Sequence, residues 1–97
     1  MREWTTRSQS EILLELGLDP NTSNDDSNPK IISWSFLRLY SLLPTYIDGV
    51  GRLNICRNGE ETTEIRYGID VIFGSSEPMD AMFDMVCWLL KNNKLNK

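Results

Sequence analysis

Histidine is missing altogether from this 97-residue chain. With it go the usual Ser-His-Asp and Cys-His nucleophile arrangements and the commonest metal ligand. Only two cysteines occur, Cys56 and Cys87, too few for an ordinary zinc site. Both read as free thiols, because a domain of this length can stand without a disulfide. No apolar run approaches the roughly 18 to 20 residues needed to cross a bilayer, and the opening Met-Arg-Glu-Trp-Thr-Thr-Arg-Ser has nothing resembling a signal peptide's apolar stretch. The expectation is a cytoplasmic protein away from membranes. A phosphate-cradling glycine loop is lacking too, since Gly49-Val50-Gly51 leads into a strand pattern rather than a helix. No residue is assigned a catalytic, cofactor-binding or metal-ligating role, no cofactor is expected, and the chain reads as a non-enzyme.

Positive charge is also in short supply. The formal net charge is -4, and through Pro29 two basic residues stand against six acidic ones, while from Lys30 onward eight of each sign cancel. Sequence-independent grip on nucleic acid needs a clustered basic surface, so that partner class is disfavoured. What is present is ordinary globular material: 40% apolar residues, 25% charged, with three each of Trp, Tyr and Phe. That supports one modest core, and the chain is read as a single domain over residues 1–97.

Within it, residues 1–7 read as an N-terminal arm, whose Trp4 is expected to cap the core of its own domain. Ser8-Gln9-Ser10-Glu11 has capping-box spacing and predicts a short helix with Ile12, Leu13 and Leu16 as its apolar stripe. Gly17, Leu18 and Pro20 supply a left-handed terminator, its hydrophobic contact and a stop. Residues 19–29 contain no apolar side chain and read as a mobile loop. Residues 30–97 hold the rest. A second helix, capped by Ser33 or Ser35 and closed by Pro44, carries Phe36, Leu37, Leu39, Tyr40, Leu42 and Leu43 against a polar stripe of only Ser35, Arg38 and Ser41, so it is expected to be covered over most of its circumference.

From Tyr46 to Phe73 the apolar period becomes two: Leu53 and Ile55, then Ile65, Tyr67, Ile69, Val71 and Phe73. All carry odd numbers, and directly paired residues share a face, so the sums of paired residue numbers must be even. A two-residue Asn58-Gly59 turn violates this. A three-residue loop Arg57-Asn58-Gly59, with Gly59 left-handed in a G1 bulge, satisfies it. Gly68 lets the second arm bend, with Ile69 to Phe73 extending it or forming a short third strand.

The last helix, about Pro78 to Asn92, carries Pro78 at its first position, Asp80 in its first turn and Lys91 near its end, each favourable there. Met79, Met82, Phe83, Val86, Leu89 and Leu90 form one apolar face, with Ala81, Met85, Cys87 and Trp88 outside its centre and only Asp80, Asp84 and Lys91 as a solvated stripe. Burial between the sheet and the second helix is the first reading, and a self-association or partner surface using Met85 and Trp88 the second. Asp80 and Asp84 read as part of that stripe rather than a metal or proton site, and Asp70 as exposed. Arg52, Arg57 and Arg66, mixed with Glu60, Glu61 and Glu64, read as charge pairing on the solvated hairpin face, which makes the three arginines the other candidate interaction residues.

The segments Leu13-Leu14-Glu15-Leu16-Gly17-Leu18-Asp19-Pro20-Asn21-Thr22, Ser33-Trp34-Ser35-Phe36-Leu37 to Leu42-Leu43-Pro44, and Pro78 to Leu90 together resemble a family of short uncharacterised proteins of gut anaerobic bacteria and their mobile elements. The resemblance implies a small bacterial cytoplasmic protein and places no functional residue. In layout alone, a hairpin, a short strand and a helix opened by an Asp-Ala pair is similar to the HicB-like antitoxin domain, although two helices precede the hairpin here. The expected architecture is α+β, in the order α-α-β-β-(β)-α, with a small antiparallel sheet packed on helices. The expected role is a protein-interaction module, an accessory protein of a mobile element, with a nucleic-acid or antitoxin-type regulator as the alternative.

Overall fold

The computed structural model describes residues 4–23, 33–58 and 62–95. Within them the chain runs α1 (Arg7–Glu15), α2 (Phe36–Leu42), β1 (Tyr46–Ile47), β2 (Gly51–Asn58), β3 (Thr62–Tyr67), β4 (Val71–Ser75) and α3 (Pro78–Lys91), with a 3-10 turn at Pro20–Thr22. This is the expected α+β order, with the optional third strand realised and one further two-residue strand, β1, added. The sheet is an antiparallel meander in the order β1-β2-β3-β4.

α1 starts two residues earlier than its sequence suggested. The capping box is Thr6 with Gln9, whose side chains bond each other's backbone N–H groups. Both Thr6-x-x-Gln9 and Ser8-x-x-Glu11 have the required spacing. The earlier one leaves Ser10 inside the helix, where its hydroxyl donates to the Thr6 carbonyl and lies 2.7 Å from the Thr5 hydroxyl in a buried pair. The arm therefore ends at Thr6, and its Trp4 is 40% exposed beside Ser35. Leu13 is buried but Ile12 is exposed, which narrows the expected stripe. The C-terminus follows the prediction closely: Gly17 has φ +101°, its N–H bonds Leu14, the Leu18 N–H bonds Leu13, and Leu18 is buried.

The predicted loop is anchored at its start. Thr22 accepts a hydrogen bond from the Trp34 indole at 2.9 Å through its hydroxyl and from Arg38 Nε at 2.7 Å through its carbonyl. The segment taken as a loop is thus partly ordered structure, and its remaining residues, from position 24, lie outside the described set. Trp34, wholly buried, is the indole that fills the core in place of Trp4.

α2 is capped by Ser35, as one of the two candidates. It is far less covered than its composition suggested: Leu39 is its only buried residue, Leu37 is 77% exposed and Tyr40 is also exposed. A seven-residue helix at the side of a two-layer domain has one neighbour to face, so its apolar residues cannot all be covered.

The sheet obeys the parity rule. β2 pairs with β3 as Leu53↔Tyr67 and Ile55↔Ile65, and β3 with β4 as Ile65↔Phe73 and Tyr67↔Val71. The rows Leu53-Tyr67-Val71 and Ile55-Ile65-Phe73 stand apolar against apolar across three strands. The hairpin closes with Asn58↔Thr62, so its three-residue loop lies two positions later than Arg57-Asn58-Gly59. The earlier loop would have set Ile55 against Glu61, whereas the observed one sets it against Ile65. Gly59, with its expected bulge geometry, lies outside the described residues.

Two glycines lock the end of the sheet where both turns meet. Gly51 has φ +138° and Gly68 φ +62°, and a Cβ on Gly68 would run into the Val50 carbonyl. Gly68→Ala is expected to destabilise the fold by more than the ~1 kcal/mol cost of a left-handed non-glycine residue, because backbone atoms must also move. A urea midpoint equal to that of the parent protein would refute this.

α3 crosses the odd-numbered face of the sheet over β3 and β4, and α2 and α1 pack against it from its other sides. Met79, Ala81, Met82, Met85, Val86, Leu89 and Leu90 are all buried. The burial reading of this helix holds. Gln9 Nε2 donates to Asp80 Oδ1 at 2.8 Å, joining the first helix to the last.

Candidate interaction surface

Because the helices lie on the odd-numbered face, the even-numbered face is left open. It carries Tyr46 and Arg52 as one cross-strand pair, then the rows Asn54-Arg66-Ile72 and Cys56-Glu64-Gly74. Tyr46 is 58% and Ile72 44% exposed, and Arg52, Asn54 and Gly74 are exposed as well. Arg66 lies over the face and donates from Nη2 to Cys56 Sγ at 3.2 Å, while its Nε is buried without a partner among the described residues. The exposed Arg52 side chain makes no hydrogen bond or ion pair to the described residues. Beside it, Thr45, Tyr46, Arg52 and Leu53 line an open recess of about 380 Å³.

The structure separates the residues that the sequence grouped together. Met85 is completely buried, so it belongs to the core and cannot contribute to a surface. Trp88 is half-buried, packed against that core. Among the arginines, Arg52 and Arg66 share the open face, but Arg57 falls in the row Arg57-Thr63-Ser75 on the opposite, helix-bearing face. Its odd number already implied this, since alternate strand residues point to opposite faces. A single cluster of three arginines does not form. Of their expected acidic partners, Glu64 lies on the open face and Glu60 and Glu61 are outside the described residues. Tyr46 and Ile72 were missed as surface residues. Ile72 was legible from its even number within an odd-numbered apolar strand, whereas Tyr46 needed the pairing of β1 with Arg52.

Among the described residues no three His, Cys, Asp or Glu side chains converge as metal ligands would. Asp70 is exposed in the turn between β3 and β4. Asp80 is engaged by Gln9, and Asp84 is held above the usual carboxylate range by burial and, secondarily, by the charge of Asp80.

The thiols differ in setting. Burial pushes the Cys87 thiol up to about 11, with Lys91 opposing and Asp84 adding. Burial likewise raises the Tyr67 hydroxyl, with Tyr40 adding to the effect, while the hydroxyl donates to the Pro44 carbonyl at 2.7 Å. Both groups are easier to ionise in the unfolded chain, so the contribution of Cys87 to stability is complete below about pH 9 and is lost as the pH rises through 11, while that of Tyr67 begins to fall only above about pH 10. Iodoacetamide labelling of the native protein at pH 8, read by peptide mass, is expected to leave Cys87 mostly unmodified, because only the thiolate reacts. Rapid native labelling of Cys87 would contradict this burial.

No helix among the described residues is long and apolar enough to cross a membrane. Compared with models of protein families, with curated proteins and with solved structures, the chain matches none.

Proposed function

We propose that this protein is a non-enzymatic protein-interaction module whose docking surface is the open face of its sheet, centred on Tyr46 and Arg52. The observation that carries the reading is the one-sided covering of the sheet: the helices bury the odd-numbered face, while the other presents an exposed phenol and an exposed guanidinium side by side. Arginine and tyrosine are the side chains that most often dominate binding energy at protein interfaces. The chemistry that fits is a carboxylate-bearing segment of a partner protein, its acid paired with Arg52 and its apolar side chains against Tyr46 and Ile72. Resemblance to short proteins of bacterial mobile elements supports an accessory role in such an element. The regulator alternative is less supported, since Arg57 faces away from Arg52 and Arg66.

The test is a tagged pull-down from bacterial lysate, with and without nuclease, comparing the parent protein with the double variant Tyr46→Ala, Arg52→Glu. A protein retained after nuclease treatment and lost from the double variant is expected, with the far-ultraviolet circular dichroism of the two proteins unchanged. Recovery dependent on nucleic acid, or equal recovery by both proteins, would overturn the reading.

A further inference from the structure

The sheet has two edges, and they are unlike. At one, β1 is two residues long and lies just after Pro44, and the outward peptide of Leu53 on β2 is already bonded, donating to the Thr45 carbonyl at 3.0 Å. Short strands and proline are the ordinary means of closing an edge to further pairing. At the other edge stands β4, Val71-Ile72-Phe73-Gly74-Ser75, which has neither proline nor charge and keeps regular pairing with β3 from end to end.

The hydrogen-bonding direction along β4 follows from the ladder. The Gly68 N–H donates to the Arg52 carbonyl, so Glu64 and Arg66 also bond β2, and the intervening Thr63, Ile65 and Tyr67 bond β4. On β4, Val71, Phe73 and Ser75 therefore turn their peptides inward to β3. Ile72 and Gly74 turn theirs outward. Both residues are exposed, and among the described residues no backbone hydrogen bond beyond the ladder reaches either of them.

We infer that β4 pairs antiparallel with β4 of a second copy of this chain, joining two four-stranded sheets into one across a two-fold axis at Phe73. An edge strand is self-complementary in this arrangement. Ile72 of one copy meets Gly74 of the other in a hydrogen-bonded pair, so every outward N–H and C=O at these two residues gains a partner. On the open face each Ile72 side chain then stands opposite a glycine, which leaves it room. On the helix face the two half-buried Phe73 rings meet as a close, non-hydrogen-bonded pair, an arrangement favoured for aromatic residues. β4 itself carries no charge, so no like charges face one another within the paired strands. The inference uses the outward peptides of the strand edge; it shares Ile72 with the docking surface, but its test reads self-association of the pure chain and the docking test leaves Ile72 unchanged, so each can fail without the other.

Sedimentation equilibrium of the full chain across roughly 1 to 200 µM, with hydrogen exchange at both ends of the range, tests it. The expected result is a rise from 11.2 kDa toward twice that mass, with the amides of Ile72 and Gly74 exchanging at least ~10-fold more slowly at the high concentration. Ile72→Pro removes an N–H that the fold does not use, a position where an edge strand tolerates proline, and Ile72→Lys places charge on the edge. Both variants are expected to remain monomeric throughout with unchanged circular dichroism. A parent protein that stays monomeric at 200 µM, or a dimer that survives both substitutions, would overturn the inference.

Discussion

Met85→Ala is expected to cost about 2–5 kcal/mol, the range for truncating a fully buried methionine whose cavity cannot collapse. Met85 has no exposed surface and sits on a helix enclosed by the sheet on one side and by α1 and α2 on others. Leu37→Ala, on the 77% exposed position of α2, is expected to change stability by no more than ~0.5 kcal/mol. Urea unfolding of the two variants measures both. The comparison is sharp because sequence pattern alone places Leu37 within a well-covered helix and Met85 outside the centre of its helix's apolar face. Equal midpoints for the two variants would mean that α3 is not the central helix. For a domain of this size, whose whole stability is about 5–15 kcal/mol, the Met85 change alone removes a large share.

Trp34→Ala is expected to be at least as damaging, at about 3–5 kcal/mol. The ring is wholly buried, and its N–H is satisfied by Thr22, which also holds Arg38 through its carbonyl. Two milder variants divide the loss. Thr22→Val keeps the volume but leaves the indole N–H without its acceptor, a cost of about 1–3 kcal/mol. Trp34→Phe removes the donor together with part of the ring, so adding it to Thr22→Val should cost less than the two changes made separately. Strict additivity would show that the hydrogen bond contributes nothing. Urea unfolding followed by circular dichroism reads these variants on one scale, since two of them remove Trp34 itself, one of the chain's three tryptophans.

Much of the fold was legible because parity and termini are local statements. The odd numbering of Leu53, Ile55, Ile65, Tyr67, Val71 and Phe73 forced even pair sums, although Ile69, read with them, lies 84% exposed in the turn at 68–70, and Gly17-Leu18 specified a helix end that the structure reproduces down to its two hydrogen bonds. The hairpin loop was misplaced by two residues because a shift of two preserves parity. Only matching Ile55 with Ile65 and Leu53 with Tyr67, a cross-strand criterion, selects the observed register. The cap of α1 was ambiguous between two identical spacings, and the Thr5–Ser10 contact that separates them, though local, is distinguished by its burial, which spacing alone does not state.

The candidate surface was less legible, for a related reason. An apolar helix states that it must be covered but not by what, so a surface role for Met85 stood as the second reading beside burial. The three arginines were grouped by nearness in sequence, although Arg57 differs in parity from Arg52 and Arg66. Tyr46 entered only through β1, a strand of two residues with no periodicity to detect.

The order of the sheet also bears on how the chain reaches its native state. Every strand of the meander pairs with the one next to it in sequence, so the loops that must close are short and their entropic cost is small. The contact between Gln9 and Asp80 instead joins positions 71 residues apart. A nucleus built from β2, β3, β4 and α3 can therefore assemble without the first third of the chain, which leaves the docking of α1 as a late event on the folding pathway.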